Sequence, residues 1–379
     1  MKVRFFLSLS VLYLLLFGCA QTREPAITPI PTSTQILTAT PVIELSKTAT
    51  ITATFTLTPQ PTPFLAVLST TNISQIEQVN TFETAFHRFV WSPDSLKLLI
   101  ISWQQIKLID AYSLDKIWSK DVKNSDDPFT KTAYDGSYGL NGLEIALAMD
   151  GDLVFVNADS GAEIRRIACS SDFEMLSYLP NGHSVAFGHT ESIRQVGIDS
   201  YAYVTNSVET CDPGLLQKLD KSLYQLEFSP DGKYLMGVFS GLTFLWKTSD
   251  NSQYASFKST GFASFNGDGT LLATTDGDEV TLWKVDTLKP VGFYKNISWK
   301  IALNPNGRIL ATTYSENKSY KDWTIKLWDT KTGNVLIEIR DLPGTPYQLG
   351  FSPDGRLLAG LFYGENSTAP QDLVIWGVK

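Results

Sequence analysis

Side chains that bind metals are scarce in this chain, with three Cys and three His among 379 residues. That is too few for a zinc framework or a disulfide-dense mini-domain. Positive charge is equally thin. The formal charge is −8, and loss of Lys2 and Arg4 with a leader would take it to −10, which argues against a nucleic-acid binder relying on a basic face. Charged residues make up only 18%, against 43% hydrophobic and 12% aromatic, so the main body is not a disordered chain. Motifs of catalysis are missing as well: there is no HExxH, no GxSxG, no P-loop and no GxGxxG after a strand. No cofactor is expected, and an enzyme is not the favoured reading.

The N-terminus holds a short apolar run, Phe5 to Phe17, behind Lys2 and Arg4. It is shorter than the roughly 20 apolar residues that span a bilayer, and it reads as an export signal. From Thr22 to Pro63 the chain carries 13 Thr and 7 Pro. That composition favours extended conformations without amphipathic periodicity, as expected of a disordered tether.

Beyond Pro63 a unit repeats, and the repeat dictates the expected fold. Short apolar strands run into tight turns at Trp91-Ser-Pro-Asp94, Tyr134-Asp-Gly136, Leu179-Pro-Asn-Gly182, Phe228-Ser-Pro-Asp-Gly232, Phe265-Asn-Gly-Asp-Gly269, Leu303-Asn-Pro-Asn-Gly307 and Phe351-Ser-Pro-Asp-Gly355. Asp-Gly and Asn-Gly suit turns because these residues tolerate positive φ. The landmark Asp or Asn recurs at intervals of 37 to 50 residues, the length of a four-stranded propeller blade. After each turn comes a nearly continuous apolar run, such as Leu96 to Ser102 or Leu357 to Phe362, which marks a strand buried on both faces. Strands alternating with period two follow and hold a late Trp, at Trp246, Trp283, Trp328 and Trp376. The expected fold is all-β: a seven-bladed β-propeller of four-stranded antiparallel blades, preceded by the signal peptide and tether. The last unit ends after its third strand, so Ile73 to Val79 is expected to supply the missing outer strand and close the ring.

Phe-Ser-Pro-Asp-Gly, an apolar strand and Leu-Trp-Asp together resemble the WD40 repeat from about residue 86 to 379, most clearly between Leu226 and Trp328 and in the last unit. Trp91-Ser-Pro-Asp94 is also similar to TolB-type periplasmic propellers, which would imply an accessory of an envelope assembly. The resemblance to WD40 repeats implies a His, Asp, Ser/Thr and Trp relay in each blade, but the Gly-His pair is missing here. The fifth unit keeps only Thr274, Asp276 and Trp283. Leu16-Phe17-Gly18-Cys19 resembles the bacterial lipobox, which implies lipidation of Cys19. The expected organisation is a signal peptide at 1–18, a lipidated Cys and tether at 19–63, and the propeller at 64–379, with 64–85 as the closing segment.

Several residues stand out as candidates. Two long connections, Tyr314 to Asp322 and Tyr363 to Asp372, should share a face with Trp103. Trp103, Tyr320, Trp323 and Tyr363 are therefore candidate contacts to a protein partner, because aromatic residues offer contact area at low entropy cost. Trp323 could equally pack at a strand start. Glu227 should line the central channel, either titrating abnormally or as an ordinary solvated lining. Cys169 and Cys211 follow outer strands of neighbouring blades; two free thiols are favoured over a bridge. A metal site built from His87, His183 and His189 is not expected, and the Asp/Gly turns lack calcium-loop spacing. The composite expectation is a non-enzymatic protein-binding or scaffolding propeller with a monomeric body. Lipid on Cys19 would hold it on the extracytoplasmic side, at the cell surface or in the periplasm. A small-molecule or hydrolytic site at the channel mouth is the alternative.

Overall fold

A computed structural model describes residues 65–379 except 84, 103, 123–132, 140–141, 150, 170–174, 181–184, 194–196, 206–212, 220–221, 260, 296–299, 317–321 and 365–369, and leaves the side chains of 189–219 and 370–371 out of description. The leader, the tether and Cys19 lie outside the described residues.

The strands assemble into seven four-stranded sheets, each antiparallel throughout. The first strand of each sheet lies innermost: Arg88–Trp91, Ala133–Tyr138, Met175–Tyr178, Leu223–Phe228, Ala263–Phe265, Ile301–Leu303 and Thr345–Phe351. Second strands such as Lys97–Ile101 and Leu357–Tyr363 are buried almost throughout, because sheets cover them on both faces. Outer strands such as Glu163–Ala168 alternate between exposed and half-buried residues, since only one face is covered.

Polar side chains of the innermost strands tie most sheets to the next. Ser137 Oγ accepts from the Tyr178 amide, Ser177 Oγ from that of Phe228, and Ser264 Oγ from that of Leu303, each at 3.0 Å. Gln225 exchanges two bonds with the Ala263 backbone, and Gln348 does the same with Phe89. The Gln348 pair joins the last sheet to the first. These bonds satisfy backbone groups that an inner sheet edge would otherwise leave bare.

The chain ends close the ring. Glu77–Glu83 pairs with Pro370–Gly377 as the outer strand of the last sheet. The pairing strand begins four residues later than the alternation from Ile73 suggests, because Ile73–Gln75 forms a 3-10 turn. That turn drives Ile73 into the core, beside Leu68 and Trp376.

One expected turn is also displaced. Tyr134-Asp-Gly136 lies within the innermost strand Ala133–Tyr138, and the chain turns instead at Gly139 to Gly142, where the Gly142 amide bonds the Gly139 carbonyl at 2.9 Å and Gly142 takes φ +66°. The Ser-Pro-Asp turns form where expected. In each, an aspartate Oδ1 accepts from the serine hydroxyl and from an amide two residues on, as for Asp231 with Ser229 and Lys233; Asp94 and Asp354 repeat the arrangement.

The late Trp residues find two packing solutions. Trp283 donates to Thr274 and Trp328 to Thr312, both at 2.9 Å, so the sixth sheet also keeps a remnant of the relay. Trp246 and Trp376 instead lie over Gly237 and Gly360, where a Cβ would come within 2.8 and 3.0 Å of the indole ring.

Candidate functional site in the axial cavity

The innermost strands converge on a cavity of about 270 Å³. Counting three residues back from the last residue of each innermost strand gives Arg88, Asp135, Met175, Gln225, Phe262, Lys300 and Gln348, one from each sheet. All of them line this cavity or the adjoining mouth. Residues two apart in a strand share a face, so the residue before each strand end forms a second level. That level holds Val90, Ser137, Ser177, Glu227, Ser264, Ala302 and Gly350. Small side chains dominate it, and they leave the space into which Glu227 projects.

At the mouth, β-bulges interrupt three innermost strands, between Ala133 and Asp135, Leu223 and Gln225, and Pro346 and Gln348. The extra residue is Tyr134, Tyr224 and Tyr347 respectively. A bulge re-aims its side chain, which brings three tyrosines to the rim beside His87 and Phe262.

The charged groups are unevenly matched. Arg88 Nε lies 2.6 Å from Asp135 Oδ1, and Asp135 also accepts from the amides of Gly136 and Leu176. Burial raises the Asp135 carboxyl above its usual range, while Arg88 and the amides pull it down. Glu227 lines the cavity and accepts from Gln225 Nε2 at 2.8 Å. Burial is the main cause of its raised pKa. Lys300 is 7% exposed. Its Nζ stands 3.2 Å from the centroid of the Phe262 ring and 5.1 Å from that of Tyr347. Burial, with the charge of Arg88 adding to it, holds the ammonium well below the usual lysine value. His87 Nε2 donates to the Tyr134 carbonyl at 2.9 Å, and burial lowers the imidazole to about 4.

Among the residues singled out in the sequence, Glu227 stands in this cavity, and Tyr363 packs against Tyr347, which lines it. The Tyr363 ring meets that of Tyr347 edge-on at 4.9 Å, and burial together with Tyr347 pushes the Tyr363 hydroxyl up to about 12. Trp323 is buried at the start of strand Thr324–Asp329, so it packs in the body and presents no contact surface. Trp103, Tyr320, Cys211 and His183 lie outside the described residues, as does the His189 side chain. Cys169 is disulfide-bonded, which corrects the expectation of two free thiols. Its partner is outside the described residues. Cys169 packs against the cluster that the second and third sheets share, which includes Phe155, Leu176 and Phe187.

Sequence reading missed Asp135, Lys300 and Arg88. Asp135 passed for a turn residue because Asp-Gly is locally indistinguishable from one. A usable signal was present: a polar or charged residue three positions before the aromatic or leucine that ends the inner strand, in five of the seven units, with Met175 and Phe262 in the other two.

A family model for the WD domain, G-beta repeat, matches residues 291–329. Among solved structures, the β-propeller domain of Cps50 (Swd1) from Myceliophteria thermophila is similar, with a TM-score of 0.63 over 80% of this chain and 100% of that one, at 13% identity. The chain is a WD40-like β-propeller. At that identity the likeness concerns the fold. No curated protein sequence matches the chain. The matched repeat of this WD40-like propeller contains Trp328 and Asp329, and within it Asp329 Oδ1 accepts from the Lys331 amide at 2.8 Å to shape the turn that follows.

Proposed function

We propose that this propeller is a non-enzymatic protein-binding or scaffolding module, exported and held at a membrane on its extracytoplasmic side by lipid on Cys19. The observation that supports a scaffold most is the continuity of the ring. Inner strands are bonded side chain to backbone, and the Gln348–Phe89 pair joins the last sheet to the first. A ring braced in this way presents its loops as a stiff platform, so a partner can bind with little ordering cost. Tyr363, fixed by Tyr347 and half-buried, supplies a preorganised aromatic edge on the face where innermost strands begin. The Thr/Pro-rich segment would act as a spacer between lipid and body.

Affinity capture from gently solubilised membranes tests this reading. The intact protein is compared with a Tyr320→Ala/Tyr363→Ala variant and with Cys19→Ala. A partner retained by the intact protein and lost by the tyrosine variant supports the face; identical recovery with both defeats it. Cys19→Ala should appear in the soluble fraction, and its retention in membranes would remove the lipid anchor.

A further inference from the structure

Two cations, Arg88 and Lys300, and two carboxylates, Asp135 and Glu227, border the axial cavity and its mouth, and among the described residues only Arg88 and Asp135 are in contact as an ion pair. Arg88 is matched by Asp135 at 2.6 Å. Lys300, more than nine-tenths buried, makes no ion pair among the described residues, and its ammonium meets only the faces of Phe262 and Tyr347. One level deeper, roughly 6.6 Å along the strands at about 3.3 Å per residue, Glu227 faces the same space. Both levels border a volume of about 270 Å³, comparable to roughly nine water molecules at about 30 Å³ each.

We propose that this cavity binds a small hydroxylated monocarboxylate, with the carboxylate on Lys300 and the open edge of the Arg88 guanidinium, and a hydroxyl on Glu227. Charge selects the head group. A single negative charge meets the Lys300 ammonium, which has no carboxylate in contact among the described residues, whereas a phosphate dianion would bring a second charge toward Asp135 and Glu227 without a counter-ion. Shape selects the body. Tyr134, Tyr224, Phe262 and Tyr347 wall the mouth with flat faces, which suit a six-membered ring entering edge-first. Spacing selects the hydroxyl: a ring carrying acid and hydroxyl at opposite ends spans about the distance between the two levels. The bonds from Gln225 and Gln348 to neighbouring backbones hold these walls before any ligand arrives, so binding requires little reorganisation.

Calorimetry and saturation-transfer NMR on the full chain in mild detergent at pH 6.5 test the proposal, with 4-hydroxybenzoate and glucuronate as probes. At least one acid should bind with a Kd below about 1 mM, and 4-hydroxybenzamide and 4-hydroxyphenyl phosphate should each bind more weakly than 4-hydroxybenzoate by about tenfold or more. Lys300→Met should weaken the acid by about tenfold or more, with its melting curve recorded to confirm folding. Glu227→Leu should abolish the preference for 4-hydroxybenzoate over benzoate. The proposal is overturned if neither acid binds at about 10 mM, if the amide or phosphate binds as well as the acid, or if folded Lys300→Met binds like the parent. The comparison of acid with amide uses the parent protein alone and stands even if a variant fails to fold. Partner capture and ligand titration are separate readouts, so either proposal can fail alone.

Discussion

Ring closure is the feature whose energetics can be worked furthest. The closing strand Glu77–Glu83 is itself mostly exposed or half-buried, so its side chains contribute little. Burial comes from the segment before it: Leu65, Leu68 and Ile73 are buried, and Leu68 and Ile73 share one cluster with Leu358, Val374, Trp376 and Val378. Backbone bonds from Ala66 to Val378 and from Leu68 to Gly355 fix the segment, both at 2.9 Å. Leu68→Ala and Ile73→Ala should each cost about 2–5 kcal/mol, combining lost transfer energy with an unfilled cavity. Val79→Ala in the closing strand, where the parent side chain is only half-buried, should cost less than about 1 kcal/mol. With a urea slope of about 3 kcal/mol/M, the larger losses lower the unfolding midpoint by about 0.7–1.7 M. Tryptophan fluorescence and far-UV circular dichroism, recorded on the same samples, separate two outcomes. If closure is part of the cooperative unit, both signals shift together. If the segment frays independently, circular dichroism keeps the parent midpoint while a local signal moves. Unchanged midpoints for both Leu68→Ala and Ile73→Ala would refute the claim that burial of this segment holds the ring shut.

Acid should expose the buried imidazole. His87 titrates near 4 when folded and near 6.5 when unfolded, so the unfolded chain binds the extra proton between those values, and stability present above about pH 6.5 is lost as pH falls toward 4. Between pH 7 and 4.5 this amounts to about 2.5 kcal/mol at about 1.36 kcal/mol per pKa unit. His87→Gln should flatten the urea-measured pH dependence by about that amount; parallel pH curves for the two proteins would contradict the assignment. Burial of Asp135 and Glu227 acts in the opposite direction, which is why the comparison with His87→Gln is needed. Gly237→Ala places a Cβ 2.8 Å from the Trp246 ring and should cost about 1–3 kcal/mol through overpacking; a melting temperature equal to the parent's would show that the indole has room to shift.

The amino-acid sequence determined the repeat, the strand types and the Ser-Pro-Asp turns, because each follows from contacts within a few residues: alternation for strands, positive φ at Gly232 or Gly355, and a serine hydroxyl reaching an aspartate two residues away. It also placed Glu227 beside the axis, since period two decides which face of an inner strand a residue occupies. Only the tertiary structure assembled the axial site. Arg88, Asp135, Lys300 and Tyr347 are separated by up to 259 positions along the chain, and they meet because seven sheets bring equivalent positions to one axis. The bulges that turn Tyr134, Tyr224 and Tyr347 to the rim leave no local signature, because they depend on pairing with a second strand. The same holds for Trp323, whose burial depends on neighbours remote in the chain. It holds too for the 3-10 turn at Ile73, where packing of one isoleucine against Trp376 outweighed a local alternation that favoured a strand. Local chemistry fixes what each segment can be, and long-range packing decides which side chains share a space and therefore what that space can bind.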